Sequence, residues 1–207
     1  MGNLINFPIY LITDRTQVAA GQTLLSATEA ALRGGIRAVQ LREKDLTAAE
    51  LLPLALEMRS LTNDYAAQLL INDRIDVALA CLADGVHLGG HSLPADVARI
   101  LLGPDRLIGV STHSRGEIER AATLGADFAT FGPVYSTPSK AAYGAPKGLD
   151  ALHAACHNPP LPVFALGGIK PHNQADVLMA GAAGIALISA ILSAADPQIA
   201  AAKFGLS

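Results

Sequence analysis

Eight times along this chain, a short apolar run ends in polar residues and gives way to a longer stretch with helical spacing. The apolar runs are Phe7 to Ile12, Ile36 to Leu41, Gln68 to Ile71, Gly85 to Leu88, Leu107 to Val110, Phe128 to Phe131, Pro162 to Leu166 and Gly184 to Ile188. They are rich in Val, Ile and Leu with hardly any polar alternation, the composition of strands buried on both faces of a parallel sheet. The first helical stretch runs from Thr23 to Leu32 and is closed by Gly34-Gly35. The second runs from Thr47 to Leu61, with Thr47 and Glu50 spaced as a capping box. Pro53 falls near its start, so an irregular first turn is expected. Later helices are predicted to about Leu82, from about Pro94 to Leu102, to Leu124, from about Leu149, from about Pro171 to Ala180, and as one last helix after Ser189. Eight such units with no shift in composition predict one α/β domain over residues 1–207, a closed (βα)8 TIM barrel near the small end of its size range. An open doubly wound sheet is the alternative.

The totals narrow the function. At 51% hydrophobic and 16% charged, the chain has material for a large core. A net charge of -3, no basic cluster and few aromatics argue against nucleic acid as a partner. Cys81 and Cys156 have neither zinc-ligand nor redox spacing and read as reduced, partly buried thiols. No secretory signal and no membrane span are expected, which points to a soluble, cytoplasmic domain. Homo-oligomerisation stays open.

In such a barrel the site lies at the C-terminal ends of the strands. Those ends collect Asp14, Gln40, Arg42, Lys44, Asn72, Asp73, Ser92, Ser111, His113, Thr137, Ser139, Lys140, Gly168 and Ser189. Arg42, Lys44 and Lys140 converging on one mouth suggest a strongly anionic ligand. The loop from Phe131 to Gly144 carries hydroxyls, prolines and Lys140, a composition suited to phosphate oxygens. Gly167-Gly168 and Ile188-Ser189 each precede a helix after the seventh and eighth strands, where barrels commonly hold phosphate. Asp73 reads either as a magnesium ligand sharing a substrate phosphate or as the cap of the next helix. His113 reads as a proton shuttle or as a neutral hydrogen-bonded group. His153 and His157 read as an exposed pair, and His87 as core or near-core.

Several motifs together resemble thiamine-phosphate synthase and its relative, thiazole tautomerase. They are Gln40-Leu-Arg-Glu-Lys44, Ile71-Asn-Asp73, Ala83-Asp-Gly-Val-His-Leu-Gly89, Gly109-Val-Ser-Thr-His113, Gly132-Pro-Val-Tyr-Ser-Thr-Pro-Ser-Lys140 and Ala165-Leu-Gly-Gly-Ile169. The resemblance runs from Tyr10 to about Pro197. It implies a barrel that transfers a pyrimidine methylene from its diphosphate to the nitrogen of a thiazole phosphate, releasing pyrophosphate. By position, Gln40, Leu41, Arg42, Glu43, Lys44, Asn72, Ser111 and Lys140 would bind the pyrimidine diphosphate. Asp73 would bind Mg2+, and Thr137, Pro138, Ser139, Gly168, Ile188 and Ser189 would bind the thiazole phosphate. Arg42, Lys44, Lys140 and His113 are the residues expected to act in catalysis.

One departure bears on the branch. Synthases usually carry an aspartate, a second metal ligand, where this chain has Ser92 in Gly89-Gly-His-Ser92. The tautomerase branch often lacks that aspartate and uses the histidine matching His113 in proton transfer. The Gln40-to-Lys44 run, Asn72-Asp73 and Lys140 keep the diphosphate apparatus, which favours the synthase. A tautomerase and a non-catalytic phosphate-ligand sensor are the alternatives.

Overall fold

The computed structural model describes residues 5–137 and 145–205. Eight parallel strands close on themselves in sequence order: β1 (Ile9–Ile12), β2 (Ala38–Leu41), β3 (Gln68–Asn72), β4 (Gly85–Leu88), β5 (Leu107–Thr112), β6 (Phe128–Phe131), β7 (Val163–Leu166) and β8 (Gly184–Leu187). Pairing of Tyr10 with Ala186 shuts the ring between β1 and β8. The helices follow in turn: α1 (Leu24–Arg33), α2 (Ala48–Asp64), α3 (Ile75–Ala80), α4 (Ala95–Leu102), α5 (Arg115–Thr123), α6 (Gly148–Cys156), α7 (Gln174–Met179), α8 (Ser189–Leu192) and α9 (Pro197–Ala202). This is a (βα)8 barrel, and the open-sheet alternative is ruled out.

Local chemistry accounts for the helix starts. The Thr23 hydroxyl accepts from the Ser26 N–H, and the Ser26 side chain accepts from the Thr23 N–H. Thr47 and Glu50 form the same reciprocal box at α2. Pro53 does not break α2, which continues to Asp64. It lies on the exposed face, where water can serve the carbonyl it leaves unpaired. The helix after β7 begins later than expected, because Asn173 rather than Pro171 precedes it. The last predicted helix is two, separated by Asp196, which caps α9 through the Ile199 N–H.

Strand side chains alternate between two cores. Residues such as Val39, Leu41, Leu69, Ile71, Val86 and Ile108 face outward and pack under the helices. Inside the ring lie Phe7, Tyr10, Ala38, Leu70, Leu107, Phe128, Phe164 and Ala186. The four aromatic rings of this set pack with centroids 5.2–6.4 Å apart. Small residues opposite them make room: a Cβ on Gly184 would meet the Phe164 ring at 2.6 Å, and one on Gly109 would meet Phe128 at 2.4 Å. Phe128 opens β6 and Tyr10 and Phe164 are second in their strands, so these rings fill the N-terminal half of the barrel. Beneath them Asp84 pairs with Arg59 and accepts from the Leu69 N–H, and Asp127 does the same with Arg99 and the Ile108 N–H. Among the described residues, the ring opens toward a cavity at its C-terminal end.

Candidate active site

At that end a cavity of about 1290 Å3 opens between the strand ends. It is larger than the usual pocket for one small ligand. Of the residues singled out from sequence, Gln40, Arg42, Lys44, Asn72, Asp73, Ser92, Ser111, His113, Thr137, Gly168, Ile188 and Ser189 all line it. Pro138, Ser139 and Lys140 lie outside the described residues. Leu41 is fully buried in the outer core, and Glu43 is buried off the cavity wall. The period of two explains this split: Gln40 and Arg42 face inward, so Leu41 and Glu43 face the other way.

Glu43 nevertheless braces the wall. Its carboxylate accepts from the Thr13 hydroxyl at 2.7 Å and from the Arg15 N–H at 3.0 Å. The same Thr13 oxygen accepts from the Arg42 N–H at 2.8 Å, which fixes the backbone carrying the Arg42 guanidinium. That guanidinium forms no salt bridge among the described residues, whereas Arg15 is taken up by Glu43 and Asp45. Arg42 therefore faces the cavity with its charge available. Burial works to raise the Asp14 carboxyl pKa, but hydrogen bonds from Thr16 and Gln17 and the Arg42 charge outweigh it and hold it below the ordinary value. Asp14 stays ionised as part of the same wall.

Asp73 has φ +65°, a left-handed backbone rare for a residue with a side chain. The Arg74 N–H donates back to the Asn72 carbonyl at 2.7 Å, so Asp73 is the apex of a three-residue turn. Its own N–H donates to the His87 carbonyl. Asp73 does not cap α3: the residue preceding that helix is Arg74, and no side chain caps it. Across the turn after β4, the Ser92 hydroxyl accepts from the Gly89 N–H at 2.7 Å. Among the described residues no three His, Cys, Asp or Glu side chains gather into a metal cage. A magnesium ion that shares a diphosphate needs only one or two carboxylates, and Asp73 meets that requirement.

The opposite wall is built from backbone. Gly167 and Gly168 have φ +102° and +67°, and Cβ atoms there would lie 2.6 Å from the side chains of Pro133 and Tyr135. Only glycine lets the loop after β7 lie this close to the loop after β6. Helix α8 starts at Ser189 on the cavity wall, and the first N–H groups of a helix have no partner within it. Lys147 and Lys170 also line this part of the cavity. β3 and β7 stand four strands apart in the ring, so the Asp73 wall and the glycine wall face each other.

The floor adds His87, which the sequence placed only as core or near-core. His87, third in β4, is 2% exposed and lines the cavity; burial, with the Arg42 charge adding to it, pushes its pKa down to about 3. Its Nε2 lies 3.0 Å from the Ser111 Oγ and 3.5 Å from the Thr130 Oγ1. Ser111 belongs to β5 rather than to the loop after it. The outward Val86 and Leu88 on either side were the signal that His87 points inward. Gln40 Nε2 donates to the Tyr10 hydroxyl, and burial, only partly offset by that bond, drives the Tyr10 phenol well above its ordinary value. His113 is exposed at the rim, with Nδ1 3.2 Å from the Glu117 carboxylate. His153 and His157 are exposed, and Cys81 and Cys156 are free and buried.

A (βα)8 barrel whose mouth has cations and a carboxylate on one wall, and glycine and a helix start on the other, has the architecture of an enzyme. A family model described as thiamine monophosphate synthase matches residues 9–191, and the chain belongs to that family. A Geobacter sulfurreducens protein provisionally named thiamine-phosphate synthase is 61% identical over 94% of this chain and 91% of its own. Thiamine-phosphate synthase of Moorella thermoacetica is 44% identical over 91% of this chain and 90% of its own. The solved thiamine phosphate pyrophosphorylase from Pyrococcus furiosus is 35% identical and superposes with a TM-score of 0.86, covering 96% of this chain and 93% of that one.

Proposed function

We propose that this chain joins a hydroxymethylpyrimidine diphosphate to a thiazole phosphate, giving thiamine phosphate and pyrophosphate. The observation that carries the reading is the pair of facing walls within one cavity, each with its own means of holding an anion. The methylene C–O bond breaks first, and pyrophosphate leaves with the bonding electrons. The thiazole nitrogen then gives its lone pair to the methylene carbon. Such a reaction needs little proton transfer; it needs charge stabilisation and two reactants held in line.

Arg42 and Lys44 take the diphosphate charge, with Lys140 as the third cation of the sequence motif. Gln40, Asn72 and Ser111 hold the same substrate. Asp73 would hold magnesium, which supplies further neutralisation of the departing pyrophosphate. Thr137, Gly168, Ile188 and Ser189, with Pro138 and Ser139, hold the thiazole phosphate, where the start of α8 offers N–H donors. The two buried free thiols suit a reducing cytoplasm, and no helix is long and apolar enough to cross a membrane among the described residues.

The test is pyrophosphate release with both substrates and magnesium present. Release that needs both substrates and yields thiamine phosphate is the expected result; none above background refutes the reading. The His113–Glu117 pair at the rim supports a second reading, isomerisation of a carboxythiazole phosphate. That reading takes over if isomerisation proceeds without pyrophosphate release and is lost in His113→Ala.

A further inference from the structure

We infer that His87 is a positioning residue: its Nε2–H donates to the Ser111 hydroxyl and thereby turns that hydroxyl's own hydrogen into the cavity, toward the pyrimidine diphosphate. The ligand named here rests on the proposed transfer reaction; the direction of the hydrogen bond rests on geometry alone.

The His87 ring is held between aromatic walls, with centroids 5.7 Å from Tyr10 and 5.8 Å from Phe128. Its two nitrogens meet different surroundings. Nε2 faces two hydroxyl oxygens, Ser111 Oγ at 3.0 Å and Thr130 Oγ1 at 3.5 Å. Nδ1 is buried and has no hydrogen-bond partner among the described residues. A Cβ built on Gly109 would land 2.6 Å from Nδ1, so one Cα–H bond of that glycine points at this nitrogen. A C–H facing a lone pair is a weak attraction, while a C–H facing an N–H brings two hydrogens together. Buried N–H groups without an acceptor are also rarer than buried acceptors without a donor. The ring with one proton therefore carries it on Nε2. A ring with two protons would still donate from Nε2, so the assignment does not depend on its charge.

The consequence falls on Ser111. A hydroxyl has one hydrogen and two lone pairs. With a lone pair taken by His87, its hydrogen is free to turn elsewhere, and no acceptor among the described residues takes it. Ser111 lines the cavity, so the hydrogen is available to a bound ligand. Negative charge on the diphosphate grows as the C–O bond breaks, so this donation strengthens toward the transition state and acts on kcat. Without His87 no donor holds that lone pair, and the hydroxyl can rotate away from the cavity.

Nitrogen NMR of the wild-type protein labelled at histidine reads the tautomer directly and needs no turnover. The expected result is a protonated Nε2 and an unprotonated Nδ1; a proton on Nδ1 alone overturns the inference. His87→Phe keeps a ring without a donor and is expected to lower kcat about 10- to 100-fold with a much smaller change in KM. His87→Gln, whose amide nitrogen reaches the Nε2 position, is expected to recover most of that loss. In a Ser111→Ala background His87→Phe is expected to cost almost nothing more; an equal loss in both backgrounds shows a role in packing only and refutes positioning. Absence of pyrophosphate release in the wild type would remove the transfer reading and the ligand named here. The nitrogen spectrum decides the His87–Ser111 direction in either event.

Discussion

Replacing His87 by glutamine is expected to flatten the acid side of this protein's stability curve. Burial, reinforced by Arg42, holds the folded His87 near pKa 3, against an ordinary value of 6.5 in the unfolded chain. Between those values the unfolded chain binds a proton that the folded one does not, so stability is full above pH 6.5 and falls as the pH drops toward 3. The slope approaches about 1.4 kcal/mol per pH unit, and the loss from pH 7 to pH 5 comes to about 2 kcal/mol. A glutamine at this site carries no such proton. The assay is urea unfolding followed by circular dichroism at pH 5, 6 and 7, without divalent cations, on wild type and variant. The other five histidines are exposed, and they and the carboxylates are common to both proteins, so the difference between the curves isolates His87. The wild type is expected to lose about 2 kcal/mol more than His87→Gln over that range. Parallel curves would refute the assignment of a buried, uncharged imidazole.

Three further expectations can be checked separately. Gly109→Ala places a methyl 2.4 Å from Phe128 and 2.6 Å from His87, and is expected to cost about 1–3 kcal/mol in urea unfolding. Ser92→Asp returns a carboxylate to the turn after β4 and is expected to lower the magnesium concentration needed for half-maximal pyrophosphate release; an unchanged titration counts against Ser92 facing the metal. Lys170→Ala removes a cation beside the glycine wall and is expected to raise KM for the thiazole phosphate several-fold while leaving KM for the pyrimidine diphosphate nearly unchanged.

The barrel was legible because each strand is mostly apolar with hardly any polar alternation: β4 and β6 match the runs Gly85 to Leu88 and Phe128 to Phe131 end to end. Strand ends were misjudged where the chain faces a polar interior. Ser111 and Thr112 read as loop because they are polar, yet they continue β5 along the cavity wall. A linear motif carries no face information, so Leu41 and Glu43 travelled with Gln40, Arg42 and Lys44 although the alternation turns them to the other side. Thr13 bridging Glu43 to the Arg42 backbone spans about thirty residues and leaves no local signal. His87 stood in plain view within an apolar run, and only its closed-ring neighbours, Ser111 and Thr130, distinguish a floor residue from a core one.

The aromatic plug formed by Phe7, Tyr10, Phe128 and Phe164 has a kinetic consequence. It closes the N-terminal end of the barrel like the base of a flask, so two substrates and two products share the opening at the other end. On the proposed assignment, the substrate held by Gln40 and Ser111 at the bottom has to enter before the one held nearer the rim. If the shallower substrate arrives first, it corks an empty flask. Traffic through such a neck is ordered by depth, and an excess of the shallower substrate slows turnover by blocking the way down.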